Sequence, residues 1–111
     1  MQAAVNASPL QIEALEIRKA ALVLRAINHK LRNQILHLIH GQLRITVTEI
    51  YRKLKIEQSV ASQHLAILRT AGFVITKREG KFILYSVNYK RLEQVQELAI
   101  RLASNKAKEV V

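Results

Sequence analysis

The chain has 111 residues, half of them hydrophobic and none cysteine, and its 18 Lys and Arg face eight Glu and no Asp for a net charge of +10. That length suits one domain over residues 1–111, while the missing thiols exclude a disulfide framework, a thiolate metal site and a thiol redox switch. No uncharged apolar run is long enough to span a membrane, residues 1–9 lack the basic and apolar parts of a secretory signal, and the cytoplasm is the expected location.

In chain order, Ser8-Pro9 reads as a helix start, with Ser8 as N-cap and proline in the first turn. The helix over residues 8–27 carries Ile12, Leu15, Ala20, Val23, Leu24 and Ile27, more apolar surface than one side of a small domain needs. Asn28 is read as the cap of a second helix, in which Leu31, Ile35, Leu38 and Ile39 recur at helical spacing and which Gly41 is expected to stop. A short β-branched stretch over 45–47 leads to a third helix over 48–54 with Thr48 as cap. Lys55-Ile56-Glu57 leaves room only for a turn before a fourth helix, which Gly72 closes. Residues 73–78 and 81–87 are rich in β-formers, and Glu79-Gly80 between them is a two-residue hairpin signal. A last helix over 89–108 sets Leu92, Val95, Leu98 and Leu102 on one face.

The expected fold is therefore mainly α with a small β-hairpin. Its order is helix, helix, helix-turn-helix over 48–71, hairpin over 73–87, helix: a winged helix-turn-helix. The charge is concentrated there. Residues 44–91 hold ten Lys and Arg against Glu49, Glu57 and Glu79, the distribution of a protein that meets a polyanion.

On a helical wheel, Ala61, Leu65 and Leu68 of the fourth helix face a core. Opposite them lie Ser59, Ser62, Gln63, Ala66 and Thr70, flanked by Gln58 and Val60. A solvated helix face ordinarily carries Lys and Glu, yet no charged residue occurs between Gln58 and Ala66. Short polar side chains let a helix approach the major groove closely. Gln pairs with adenine, Ser donates or accepts, and Val60 suits a thymine methyl. His64 packs or touches phosphate, and Arg69 is a further cation on the same helix. Lys77, Arg78 and Lys81 at the hairpin tip are placed for phosphate or the minor groove, although lysines on an edge hairpin also guard against aggregation.

The run Ile56-Glu57-Gln58-Ser59-Val60-Ala61-Ser62-Gln63-His64-Leu65-Ala66-Ile67-Leu68-Arg69-Thr70-Ala71-Gly72-Phe73-Val74 resembles the recognition-helix signature of the ArsR/SmtB winged-helix repressors. Lys77-Arg78-Glu79-Gly80-Lys81-Phe82-Ile83-Leu84-Tyr85-Ser86-Val87 is similar to their wing. Ala26-Ile27-Asn28-His29-Lys30-Leu31-Arg32-Asn33-Gln34-Ile35-Leu36 is similar to the start of their second helix, with Lys30 where the family usually has proline. The resemblance spans residues 23–87, and the terminal helices correspond by position. It implies a homodimer built from the first and last helices, which bind double-stranded DNA with recognition helices in successive major grooves. The apolar faces of those two helices support it independently, with Leu15, Val23, Leu92, Val95, Leu98 and Leu102 expected at the interface.

The family's metal sensors use cysteines beside the third helix, where Thr46 and Thr48 stand here and cannot act as soft ligands. Others use Asp and His on the last helix, and residues 92–111 have neither. His37 and His40, at i and i+3, lack a third ligand; His29 lies roughly 12 Å away along a helix. Glu49 is expected to be structural. No metal and no cofactor are expected. Without a Cys nucleophile, an Asp or a glycine-rich loop, neither is catalysis.

The expected function is a sequence-specific DNA-binding regulator, in the first instance a repressor. The alternative is a winged-helix protein-interaction module, which would want a Leu or Phe patch where this chain has serines. Membrane-surface or RNA binding would want a basic amphipathic helix or exposed stacking aromatics.

Overall fold

The computed structural model describes residues 13–109, with side chains through Ser104. Five helices and three strands follow in order: α1 (Ala14–Ile27), α2 (Lys30–Gln42), β1 (Ile45–Thr46), α3 (Val47–Leu54), α4 (Gln58–Thr70), β2 (Val74–Glu79), β3 (Phe82–Val87) and α5 (Tyr89–Glu109). The mainly helical winged fold is as expected. The hairpin is enlarged by β1, which pairs antiparallel with β3 through Ile45 opposite Tyr85 and Thr46 opposite Leu84, giving a sheet of order β1-β3-β2. Ser8, Pro9 and Ile12 lie outside the described residues.

The core collects the apolar positions of α2, α3 and α4 and the base of the wing. Ile35, Ile39, Ile45, Ile50, Leu65, Leu68 and Phe73 are fully buried, and Ala61, Val74 and Val87 close around them. Truncating any of the large ones to Ala removes contacts that the packed surroundings cannot replace, a cost of about 2–5 kcal/mol. The terminal helices contribute less. Residues 14–22 of α1 and 96–104 of α5 are exposed throughout, and of the two helices' described residues only Val23, Ala26, Ile27, Leu92 and Val95 pack on the core.

Several boundaries differ from expectation, each for a local reason. The cap of α2 is His29, whose Nδ1 accepts from the Arg32 N–H at 3.4 Å; Asn28 instead ends α1. Gly41 is inside α2, and the chain turns at Leu43, with φ 70° and ψ −51°. There the Arg44 N–H donates to the Gln42 carbonyl at 2.8 Å, closing a γ-turn of the rare positive-φ kind. Thr46, not Thr48, caps α3: its hydroxyl accepts from the Glu49 N–H while the Glu49 carboxylate accepts from the Thr46 N–H, a reciprocal capping box. Glu49 is thus structural, and these bonds hold its carboxyl below the usual range. The wing turns on Gly80-Lys81, not Glu79-Gly80, because Glu79 is still paired with Phe82; Gly80 takes φ 63° at the first turn position.

Candidate nucleic-acid interface

The turn between α3 and α4 is made by Lys55 in the left-handed conformation, φ 56° and ψ 47°, after which half-buried Ile56 packs on the core. That anchors the start of α4, whose cap residue Glu57 makes no side-chain cap bond. The first-turn N–H groups of α4 therefore lack a side-chain acceptor at the end where an anion is favoured.

Along α4, Ala61, Leu65 and Leu68 are buried and Gln58, Ser59, Ser62, Gln63, Ala66, Arg69 and Thr70 are exposed, with Val60 and His64 half-buried. The uncharged polar strip is thus a solvent-facing surface about two turns long. His64 differs from its neighbours: its Nδ1 lies 3.1 Å from Nη1 of Arg32, so one side of the ring is spent inside the protein.

Lys77, Arg78 and Lys81 are all exposed. The register, with Lys77 opposite Leu84 and Arg78 opposite Ile83, sends Lys77 and Arg78 to opposite faces of the hairpin. Lys81 sits in the turn, its ammonium 5.8 Å from the Phe82 ring centroid. Glu79 pairs with Arg44, a basic residue outside the wing that the sequence reading did not single out.

The far end of α4 is held by groups also missed. Asn88 precedes α5; its Oδ1 accepts from the Arg91 N–H at 3.2 Å and its Nδ2 donates to the Gly72 carbonyl at 3.0 Å. Arg91 Nε donates to the Ala71 carbonyl at 2.9 Å. Gly72 has φ 88°, a backbone conformation that favours glycine, and a Cβ there would press on Arg91 Nε at 3.1 Å, so that side chain would have to shift. An Asn placed just before a helix is an N-cap signal the sequence did carry.

The expected interface residues of the terminal helices divide in two. Leu15, Leu98 and Leu102 are exposed, alongside Ile17, Leu22 and Ile100; Val23, Leu92 and Val95 are half-buried against their own core. Between α1, α4 and the start of α5 is an open, largely apolar hollow of about 570 Å³, bordered by Leu22, Val23, Ala26 and Ile67, with Lys19 and Arg91 at its edge.

Thr46 and Thr48 do not fit a soft metal, since Thr46 spends its hydroxyl on the α3 cap. His40 Nδ1 lies 2.6 Å from the Tyr89 hydroxyl, tying α2 to α5, and among the described residues no three His, Asp or Glu side chains converge. No described helix is long and apolar enough to cross a membrane.

Residues 29–76 match the model of the bacterial regulatory protein arsR family. The transcriptional activator HlyU of Vibrio cholerae is 31% identical over 100 residues, 88% of this chain and 92% of that protein. The transcriptional repressor PagR of Bacillus anthracis is 33% identical over 79% of this chain and 88% of its own. The PagR crystal structure superposes with a TM-score of 0.61 over 78% of this chain and 99% of that one. An ArsR-like transcriptional regulator from Rhodococcus sp. RHA1 shares the fold at TM-score 0.74 and 18% identity, over 86% of this chain and 89% of that one.

Proposed function

Because the chain belongs to the arsR family of bacterial regulatory proteins and is a DNA-binding transcriptional regulator, not an enzyme, we propose that it acts as a homodimer that lays α4 in the major groove and the wing on backbone or minor groove. The observation that carries this reading is the exposed, uncharged face of α4 within a strongly basic segment. Gln58, Ser59, Val60, Ser62 and Gln63 meet base edges. Arg69, Lys77, Arg78 and Lys81 neutralise phosphates, and the outward side of His64 donates to one. Because Lys77 and Arg78 leave the hairpin on opposite faces, they contact different phosphates or strands.

A second copy covers the apolar surface of the terminal helices. The exposed Leu15, Leu98 and Leu102 continue the half-buried row of Val23, Leu92 and Val95, which argues for one continuous interface. Leaving so much Leu and Ile in water on two helices is costly for a monomer. Repression follows from occupying the operator alone, and PagR is a relative named for it. The absence of cysteine, with Thr46 committed to a helix cap, supports DNA binding that zinc or cadmium does not alter.

The test is enrichment of bound fragments from a random duplex pool with the full chain. A recurrent motif repeated about one helical turn apart is expected from two α4 helices in successive grooves. No enriched motif would mean that the surface of α4 does not read bases.

A further inference from the structure

Arg32, near the start of α2, is 7% exposed, and among the described residues no carboxylate pairs with it. Its Nε donates to the Ala26 carbonyl at 2.7 Å, its Nη2 to the Arg25 carbonyl at 3.2 Å and its Nη1 to Nδ1 of His64 at 3.1 Å. Both carbonyls belong to the last turn of α1; the Arg25 carbonyl also accepts from the capping Asn28 N–H at 3.2 Å, while the Ala26 carbonyl takes its hydrogen bond from Arg32, so the guanidinium helps close the negative end of that helix. The third acceptor is on α4. One side chain thus ties α1 and α2 to the helix that faces DNA.

The donor chemistry fixes the protons. A guanidinium only donates, so Nδ1 of His64 must accept, and the neutral ring carries its proton on Nε2. Among the described residues no sealed side-chain nitrogen lacks a partner, so Nε2 of His64, which has none within the protein, reaches solvent. His29 is restricted in the same way. Its Nδ1 accepts from the Arg32 N–H, and its ring centroid is 4.8 Å from that of His64. Protonating either ring at Nδ1 sets one N–H against another. Among the described residues, His29 and Arg32 are the titratable and charged groups that bear on His64.

We propose that Arg32 is a positioning residue for DNA recognition, holding α4 against α1 and α2 through the neutral ring of His64, and that protonating His64 releases that hold. This rests on the reading of α4 as the base-reading helix. Burial first, then the positive charge that a protonated His29 or Arg32 sets beside the ring, disfavour protonation of His64, so the hold is favoured as the pH rises and weakens as it falls. The sign is unusual. A histidine that merely touched phosphate would bind DNA more tightly in acid, whereas this one gives up site selectivity.

The experiment is fluorescence anisotropy of the full chain on a duplex enriched from a random pool and on a scrambled duplex. The readout is the ratio of the two affinities between about pH 7.5 and pH 5. For the wild type the ratio should fall about tenfold into acid, the scale of one lost charge-assisted hydrogen bond. His64→Asn keeps an acceptor near the Nδ1 position but cannot titrate. Whatever its starting affinity, its ratio should change by less than about twofold over the same range. Arg32→Lys keeps the charge but loses the fork, and should lower the ratio at neutral pH while scrambled-duplex affinity survives. A wild-type ratio that stays flat, or a fall that persists in His64→Asn and vanishes in His29→Asn, overturns the proposal while leaving α4 as the reader. A wild type with no sequence preference at any pH overturns both.

Discussion

Nη1 of Arg44 and Oε2 of Glu79 meet at 2.8 Å, joining the segment before β1 to the tip of the wing. Both side chains are largely in water, at 59% and 42% exposure, so the pair contributes at most about 1 kcal/mol to stability. Its larger effect is on charge, because Glu79 is the one acid among Lys77, Arg78 and Lys81. Glu79→Gln should therefore leave stability within about 0.5 kcal/mol. It should tighten binding to every duplex alike, and steepen the dependence of log affinity on log salt by up to about one unit as Arg44 is freed for a phosphate. Titrations at several salt concentrations decide it; an effect confined to one DNA sequence would show that Glu79 shapes readout instead.

Leu43 is a leucine in a conformation that suits glycine, at φ 70°, and 76% of its surface is exposed. The side chain gains little from burial, while its backbone stores of order 1–3 kcal/mol of strain. Glycine relieves that strain but widens the unfolded ensemble, offsetting roughly 0.4–1 kcal/mol. Leu43→Gly should thus stabilise the protein by about 1 kcal/mol in urea unfolding. A loss of stability would mean that the Leu43 side chain is covered in the assembled protein.

How far these features could be foreseen depends on how local their causes are. The uncharged strip from Gln58 to Ala66 is a matter of composition on one helix face, and burial of Ala61, Leu65 and Leu68 follows from spacing alone. The cap at Thr46 was also legible, since Thr46 and Glu49 stand at capping-box spacing, but the β-branched run drew the expected cap two residues too late, to Thr48. Gly41 was misleading because glycine inside a helix costs only about 1 kcal/mol, which packing of Ile35, Leu36 and Ile39 outweighs. Arg32 gave no sign of itself. In a chain with 18 basic residues it looks like one more surface cation, and its burial exists only where three helices meet.

The proposed dimer is best tested where the monomer has least to lose. Val95 is half-buried in its own core, so a charge there would damage the fold as well as any interface. Leu98 and Leu102 are 43% and 62% exposed. Leu98→Glu and Leu102→Glu should each bury an unpaired carboxylate if a second copy covers them, a penalty of several kcal/mol that favours monomers. Sedimentation at micromolar protein, with helix content checked by circular dichroism, is the measurement. Two folded variants that both remain dimeric would move the interface elsewhere.

Positioning and readout should separate cleanly between the wing and α4. Lys81 lies in the turn of the wing, where a cation meets phosphates whatever the bases are. Lys81→Ala should weaken binding to an enriched and a scrambled duplex by the same factor, and lower the salt slope by about one unit if one phosphate contact is lost. Gln63 is exposed at the middle of the uncharged face, and its amide can both accept from and donate to an adenine edge. Gln63→Ala should cost about 1–3 kcal/mol on the enriched duplex and much less on the scrambled one, with the salt slope unchanged, because phosphates supply the non-specific affinity. Anisotropy titrations of both variants across a salt series put the two behaviours side by side. If Gln63→Ala lowers both affinities equally, the face of α4 binds the backbone and sequence must be read from the wing or from the shape of the duplex.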